Sequence, residues 1–218
     1  DLLGEKITNL VVHGYPMDIT LSDDGQKVAG TYLCISKGEI KNNILFLNYG
    51  EVGKNFTDRT AGAHIHEFGI VPRITFLDND TISAFKEDGL MIFSMEEKAE
   101  IAKEITVEGK IVSVLHNEKY VGLVIEEEGL NKPKLLLYDL KGNQVLELEL
   151  DFKYESIYLS GEEIILLHSN SAVIYKTNGK EKFRYTFTSN VSALYPINHM
   201  DKYFLVSPDE FMEIQLVE

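Results

Sequence analysis

The amino-acid sequence predicts an all-β fold, a β-propeller of four-stranded antiparallel blades. Three observations carry the prediction. Short apolar–polar alternations recur along the 218 residues, each bounded by turns rich in Asp, Asn, Ser or Gly. The recurrences begin near 17, 71, 110, 154 and 190, and the later spacings lie close to ~40 residues, the period of a four-stranded blade. A single small sheet has two faces, and packing successive sheets around an axis buries both.

Taken in order, KITNLVVHG reads as one strand over about 6–13. It either completes the last unit of a five-bladed ring or is the outer strand of a blade lying upstream. In the first unit Met17, Ile19 and Leu21 alternate with Asp18, Thr20 and Ser22, the period of a strand with one buried face. The SDDG turn follows, where Asp side chains bond nearby backbone and Gly25 tolerates positive φ. KVAGTYLCI and ILFLN supply the next strands, and an insert over about 49–69 lengthens this unit.

The second unit, from Val71, reads strand, LDNDT turn, strand, KEDG turn, strand. MEEKAEIAKEI is rich in helix formers, but its position asks for an outer strand. The third unit, from Lys110, turns at HNEK and again at Gly142. The fourth, from Tyr154, gives four strands with turns at Ser160–Glu162, Ser169–Ser171 and Thr177–Gly179. The fifth, from Asn190, gives three. A two-sheet sandwich also uses many short strands; the regular period favours blades.

Composition narrows the function. Hydrophobic residues at 44% suffice for a core. A net charge of −14 repels nucleic acid and anionic lipid. The one cysteine, Cys34, forms no internal disulfide and is expected as a small buried apolar residue in TYLCIS. No apolar run reaches the ~18 residues of a membrane helix. The chain opens at Asp1 without an initiator Met, so a longer parent protein is expected.

Chemistry is sparse. His64 and His66 of HIH fall on one face of a strand, but zinc needs three or four ligands, so no metal or other cofactor is expected. His13, His116, His168 and His199 sit singly near turns, and no G-x-S-x-G elbow surrounds Ser169 or Ser171. SDDG and LDND lack the ligand series of a calcium loop, and GEVGKN lacks the phosphate-loop pattern. The insert is the best functional lead. It carries Tyr49, Phe56, Arg59, His64, His66 and Phe68, residue types suited to contacts with a ligand or partner. Part of it is also expected to form the outer strand of its own blade.

The stretches Gly14–Gly25, Phe46–Gly53, Val71–Phe76, Glu118–Val124 and Tyr195–Pro196 resemble an uncharacterised family of membrane-anchored proteins from clostridia-like Gram-positive bacteria. The resemblance implies a short cytoplasmic start, one membrane helix and an extracytoplasmic propeller related to the WD-repeat superfamily. It also implies a parent of seven or eight blades, with the first blades and the anchor absent here. It implies no activity. The expected role is a non-catalytic scaffold presenting loops to a protein, a peptide or a cell-wall glycan, with contact to the membrane only through the absent anchor. The alternatives are a hydrolase or lyase acting on an extracellular polymer, and a structural spacer.

Overall fold

The computed structural model describes residues 14–36, 38–50, 56–67, 69–129, 131–197 and 201–216. The strand expected over 6–13, His13, His199 and Phe68 lie outside them. The described strands form five antiparallel sheets in which each strand pairs with the next along the chain. The first sheet holds β1 (Tyr15–Leu21), β2 (Lys27–Ser36), β3 (Glu39–Asn48) and β4 (Thr60–His66), with the short helix α1 (Phe56–Arg59) before β4. The second holds β5 (Arg73–Phe76), β6 (Thr81–Lys86), β7 (Gly89–Ser94) and β8 (Glu100–Thr106). The third runs from β9 (Lys110–His116) and β10 (Tyr120–Glu126) to β11 (Lys134–Asp139) and β12 (Gln144–Glu149). The fourth runs from β13 (Ser156–Ser160) and β14 (Glu163–His168) to β15 (Ser171–Lys176) and β16 (Glu181–Thr186). The fifth has β17 (Ala193–Pro196), β18 (Lys202–Val206) and β19 (Phe211–Gln215). These are propeller blades. Contacts divide the chain into two compact units, residues 1–102 and 103–218.

In the first unit, the SDDG turn closes as its residues dictate. Gly25 takes a φ of 69° and its amide reaches the Ser22 carbonyl at 2.9 Å. Ser22 Oγ and the Gln26 amide both donate to Asp24 Oδ1, which holds that carboxyl below its ordinary range. Alternation then sorts the strands. Ala29, Ile44 and Phe46 pack against Ile74, Ile82, Ala84, Met91 and Phe93 of the second sheet, with the Phe46 and Phe93 rings 4.9 Å apart. On β1 the expected order is reversed: Met17, Ile19 and Leu21, the apolar side that the alternation assigned to the core, are exposed, and Asp18 and Thr20 turn toward the second sheet to accept its amides.

Polar groups fix how the two sheets meet. Asn42 is fully buried; its Oδ1 accepts the Val71 amide at 2.8 Å and its Nδ2 donates to Thr31 Oγ1. Thr31 in turn donates to the Val71 carbonyl at 3.0 Å, so both polar groups of one linker residue are satisfied. Lys27, buried in β2, donates to the Met95 carbonyl at 2.8 Å and pairs with Asp80. The first strands are joined directly. Asp18 Oδ2 accepts the Ile74 amide at 3.0 Å and Thr20 Oγ1 accepts the Phe76 amide at 3.3 Å.

The second unit repeats the plan with other residues. EIILLH and SAVIYK in the fourth sheet are nearly continuous apolar runs because both faces are covered. Ile164, Leu166 and Val173 pack with Leu115, Val124, Leu135 and Leu137 of the third sheet. Ile165, Leu167, Ala172 and Ile174 pack with Leu194, Tyr203 and Leu205 of the fifth. The first-strand joint returns: Tyr158 OH donates to the Leu194 carbonyl at 2.6 Å and accepts its amide at 2.8 Å. Burial pushes this hydroxyl up to about 12. Beside it, Glu163 accepts from Lys182 Nζ at 2.7 Å and from Tyr203 OH at 2.6 Å. Burial opposes the Lys182 charge, but the bonds to Glu163, Tyr203 and Asp201 outweigh it and hold the ammonium above its ordinary value.

One more local feature departs from expectation. Cys34 is half-buried rather than sealed, and the Asn43 amide donates to its Sγ at 3.0 Å. At the far end of the β2–β3 pair, Ile35 and Ile40 face each other and are exposed. The helix former-rich stretch before Gly109 does form strand β8, as its position in the sheet requires. Among the described residues no helix is long and apolar enough to cross a membrane.

Candidate functional site

The second unit contains a long groove where two recesses of about 600 Å³ and 500 Å³ share Glu126, Asn131, Lys132 and Pro133. It lies along the β12–β13 linker, Leu150–Glu155, and beside the β10–β11 connection. The linker keeps strand-like alternation: Asp151, Lys153 and Glu155 are exposed, while Phe152 and Tyr154 are half-buried and line the groove.

This linker is pinned along its length. The Leu150 amide donates to the Pro133 carbonyl at 2.9 Å and the Glu155 amide to the Leu167 carbonyl at 2.8 Å. Asp151 Oδ1 accepts from Tyr175 OH at 2.9 Å and Arg184 Nη2 at 2.8 Å. Those two bonds hold the Asp151 carboxyl below its ordinary range. Burial, together with the Asp151 charge, pushes Tyr175 up to about 12. The Arg184 guanidinium stands 5.8 Å from the Phe152 ring centre, and the His168 ring meets Phe152 edge-on at 6.5 Å. His168 Nδ1 lies 3.3 Å from Glu155 Oε1 without meeting hydrogen-bond geometry. Glu155 Oε2 accepts the Ser169 amide at 3.2 Å.

Opposite, Ser113 Oγ and Tyr154 OH are 2.8 Å apart. Burial raises the Tyr154 hydroxyl, Ser113 opposes it and the Glu126 charge adds to it. Lys134 Nζ holds Glu127 Oε1 at 2.9 Å. Gly109 sits at φ 102°, and a Cβ there would stand 2.6 Å from the Glu126 carbonyl oxygen. Only glycine lets these backbones approach so closely at this rim.

The residues singled out in the insert fall elsewhere, in the first unit. Tyr49 follows β3 and Arg59 ends α1, and the Arg59 guanidinium lies 4.9 Å from the centre of the Tyr49 ring. Phe56 opens α1. His64 and His66 share one face of β4, where His64 packs edge-on against Phe93 at 5.6 Å. Among the described residues no group of three or more His, Cys, Asp and Glu side chains is placed to hold a metal ion. Sequence reasoning passed over the linker because DFKYES looks like ordinary strand spacing. Its alternation of aromatic and charged residues was the available signal.

Comparison with solved structures supports the fold. The β-propeller domain of the Trilobed protease from Pyrococcus furiosus is similar at 15% identity and a TM-score of 0.55, with 94% of this chain and 72% of that one covered. A eukaryotic initiation factor matches at 16% identity and a TM-score of 0.60, covering 92% of this chain and 50% of that one. The acylaminoacyl peptidase of Pyrococcus horikoshii matches at 16% identity and a TM-score of 0.55, covering 88% of this chain. This chain spans only 35% of that peptidase's length. No curated protein matches. The model of a family of unknown function, DUF5711, matches residues 1–216, and the chain belongs to that family.

Proposed function

We propose that the protein is a non-catalytic recognition scaffold that receives its ligand in the groove of the second unit. The pinned β12–β13 linker carries this reading. Its backbone is bonded at both ends and Asp151 is fixed from the side, so a ligand meets a preformed surface and little ordering entropy opposes binding. Propellers are widely used as interaction scaffolds, an analogy of fold alone. Tyr49 and Arg59 of the insert form a smaller second contact surface in this reading. In the anchored parent that the sequence resemblance implies, the domain faces outward from the membrane.

A photo-crosslinking amino acid replacing Val112, which lines the groove and is 37% exposed, tests the scaffold reading in cells. Adducts should form there and not from the same group at Val145, an exposed position on β12. Equal labelling at both positions, or none, would overturn the assignment. Protease added to intact cells should remove the domain; survival until lysis would refute the outward location.

A further inference from the structure

We infer that the chain associates head to tail, the open face of its first sheet receiving the open face of the fifth sheet of a second copy. The described joints have one sense. The second sheet receives the first on the face that carries Ile74, Ala84 and Met91, and the fifth receives the fourth on the face of Leu194, Leu205 and Met212. Register and the matching reversals at Ser22 and Leu77 place Ile19, Gly30 and Leu45 of the first sheet where the second has Ile74, Ala84 and Met91. Leu21, Val28 and Leu47 likewise stand where the second has Phe76, Ile82 and Phe93. Along these two rows the first sheet therefore carries an apolar receiving face, yet Ile19 is 63% and Leu21 59% exposed. Beside them a recess of about 80 Å³ lies over Gly30, between Val28, Tyr32, Leu45 and Leu47. The fifth sheet carries the opposite half. Its side away from the fourth sheet holds Ala193, Tyr195, Phe204, Val206 and Phe211. Tyr195 is 54% and Phe211 62% exposed, and the Phe204 and Phe211 rings stack at 4.8 Å.

Position by position the two halves match. The Ser22 amide donates to the Lys27 carbonyl at 3.0 Å and the Ile197 amide to the Lys202 carbonyl at 2.9 Å, which aligns Thr20 with Tyr195 and Asp18 with Ala193. Thr20 accepts the Phe76 amide, whose counterpart on the first sheet is the Leu21 amide. Alternation turns that amide toward the open edge of β1, and the Tyr195 hydroxyl of a second copy supplies its acceptor. Ala193 offers no side-chain acceptor at the place where Asp18 holds the Ile74 amide. The counterpart amide, that of Ile19, needs none, because Asp18 Oδ1 already accepts it at 2.9 Å. Size is exchanged as well. The internal joint packs Ala29 and Ala84 into one cluster, whereas Phe204 stands in the place of Ala29 and Gly30, with its recess, in the place of Ala84. Glu213 stands in the place of Phe46 and carries Lys202 with it at 2.7 Å, so the rim adds a paired charge. A contact between two different faces is heterologous, and copies add to one another in series.

The test is sedimentation velocity of the full chain from about 1 to about 200 μM, in about 50 and about 500 mM salt. The average mass should rise above the monomer with concentration. It should rise further at the higher salt, because each copy carries −14 and salt screens their repulsion. Leu21→Asp and Phe211→Asp, both at exposed positions, should each return the chain to monomer. An equimolar mixture of the two should regain a dimer and stop there, since one intact contact remains between them. Val145→Asp, exposed on β12, should associate as the unchanged chain does. Should either variant melt early, Leu21→Ser and Phe211→Ser carry the same test. An unchanged chain that stays monomeric at every concentration overturns the inference and leaves both faces to other sheets of one polypeptide. Association that survives either substitution, a mixture that stays monomeric, or association lost at the higher salt overturns it as well.

Discussion

Replacing Asn42 by alanine tests how the first two sheets are joined. Asn42 is fully buried, and its Oδ1 is the acceptor for the Val71 amide. Alanine leaves that amide without a partner, which costs about 1–3 kcal/mol. Thr31 still donates to the Val71 carbonyl, so one of the linker's two bonds survives. Lost packing adds roughly 1 kcal/mol, for a total near 2–4 kcal/mol. Native-state hydrogen exchange of the Val71 amide reads this locally, and it should accelerate by about 30- to 900-fold. Asn43 is the internal control. Its amide reaches only Cys34 Sγ and its Oδ1 is a buried acceptor without a partner, so Asn43→Ala should cost less than about 0.5 kcal/mol. Equal effects of the two substitutions, or an unchanged Val71 amide in Asn42→Ala, would refute the reasoning.

Three further outcomes follow from the same physics. Tyr158 has a raised pKa in the folded state, so the stability it contributes is complete below its ordinary 10.0 and is lost as pH climbs toward about 12. A spectrophotometric alkaline titration should show Tyr158→Phe lacking one late-ionising tyrosine, and a denaturant midpoint shift should report a loss of about 1–2 kcal/mol. Lys182→Met leaves the partly buried Glu163 carboxylate with the Tyr203 hydroxyl but without its counter-charge and should cost about 3 kcal/mol, whereas the double change with Glu163→Leu should cost less; chemical denaturation of the cycle decides, and additivity would contradict the pairing. Gly109→Ala forces a Cβ against the Glu126 carbonyl at positive φ and should destabilise by about 1–3 kcal/mol, measured by thermal unfolding, while an unchanged midpoint would show that the rim relaxes freely.

The fold was legible where side chains carry period and turn chemistry. SDDG and the apolar runs EIILLH and SAVIYK announce strand and reversal without tertiary help. β8 was legible only through its place in the blade, since Ala, Glu and Lys favour helix there. The site was much less legible. The histidines of β4 attract attention by type, yet His64 spends its ring on Phe93. The groove depends on Tyr175 and Arg184 reaching Asp151 across 24 and 33 residues, and no local pattern encodes that meeting.

The joints between first strands bear on how such a chain can change over time. One partner contributes a side chain, Asp18 or Tyr158, and the other contributes only backbone, the amide of Ile74 or the amide and carbonyl of Leu194. Every residue except proline owns that amide, so the receiving strand can drift freely at the contact without loosening it. Pro196 marks the boundary of this freedom, standing where Phe76 in β5 still offers an amide to Thr20. Copies of a sheet joined in this way can lose all resemblance to one another and still seat side by side.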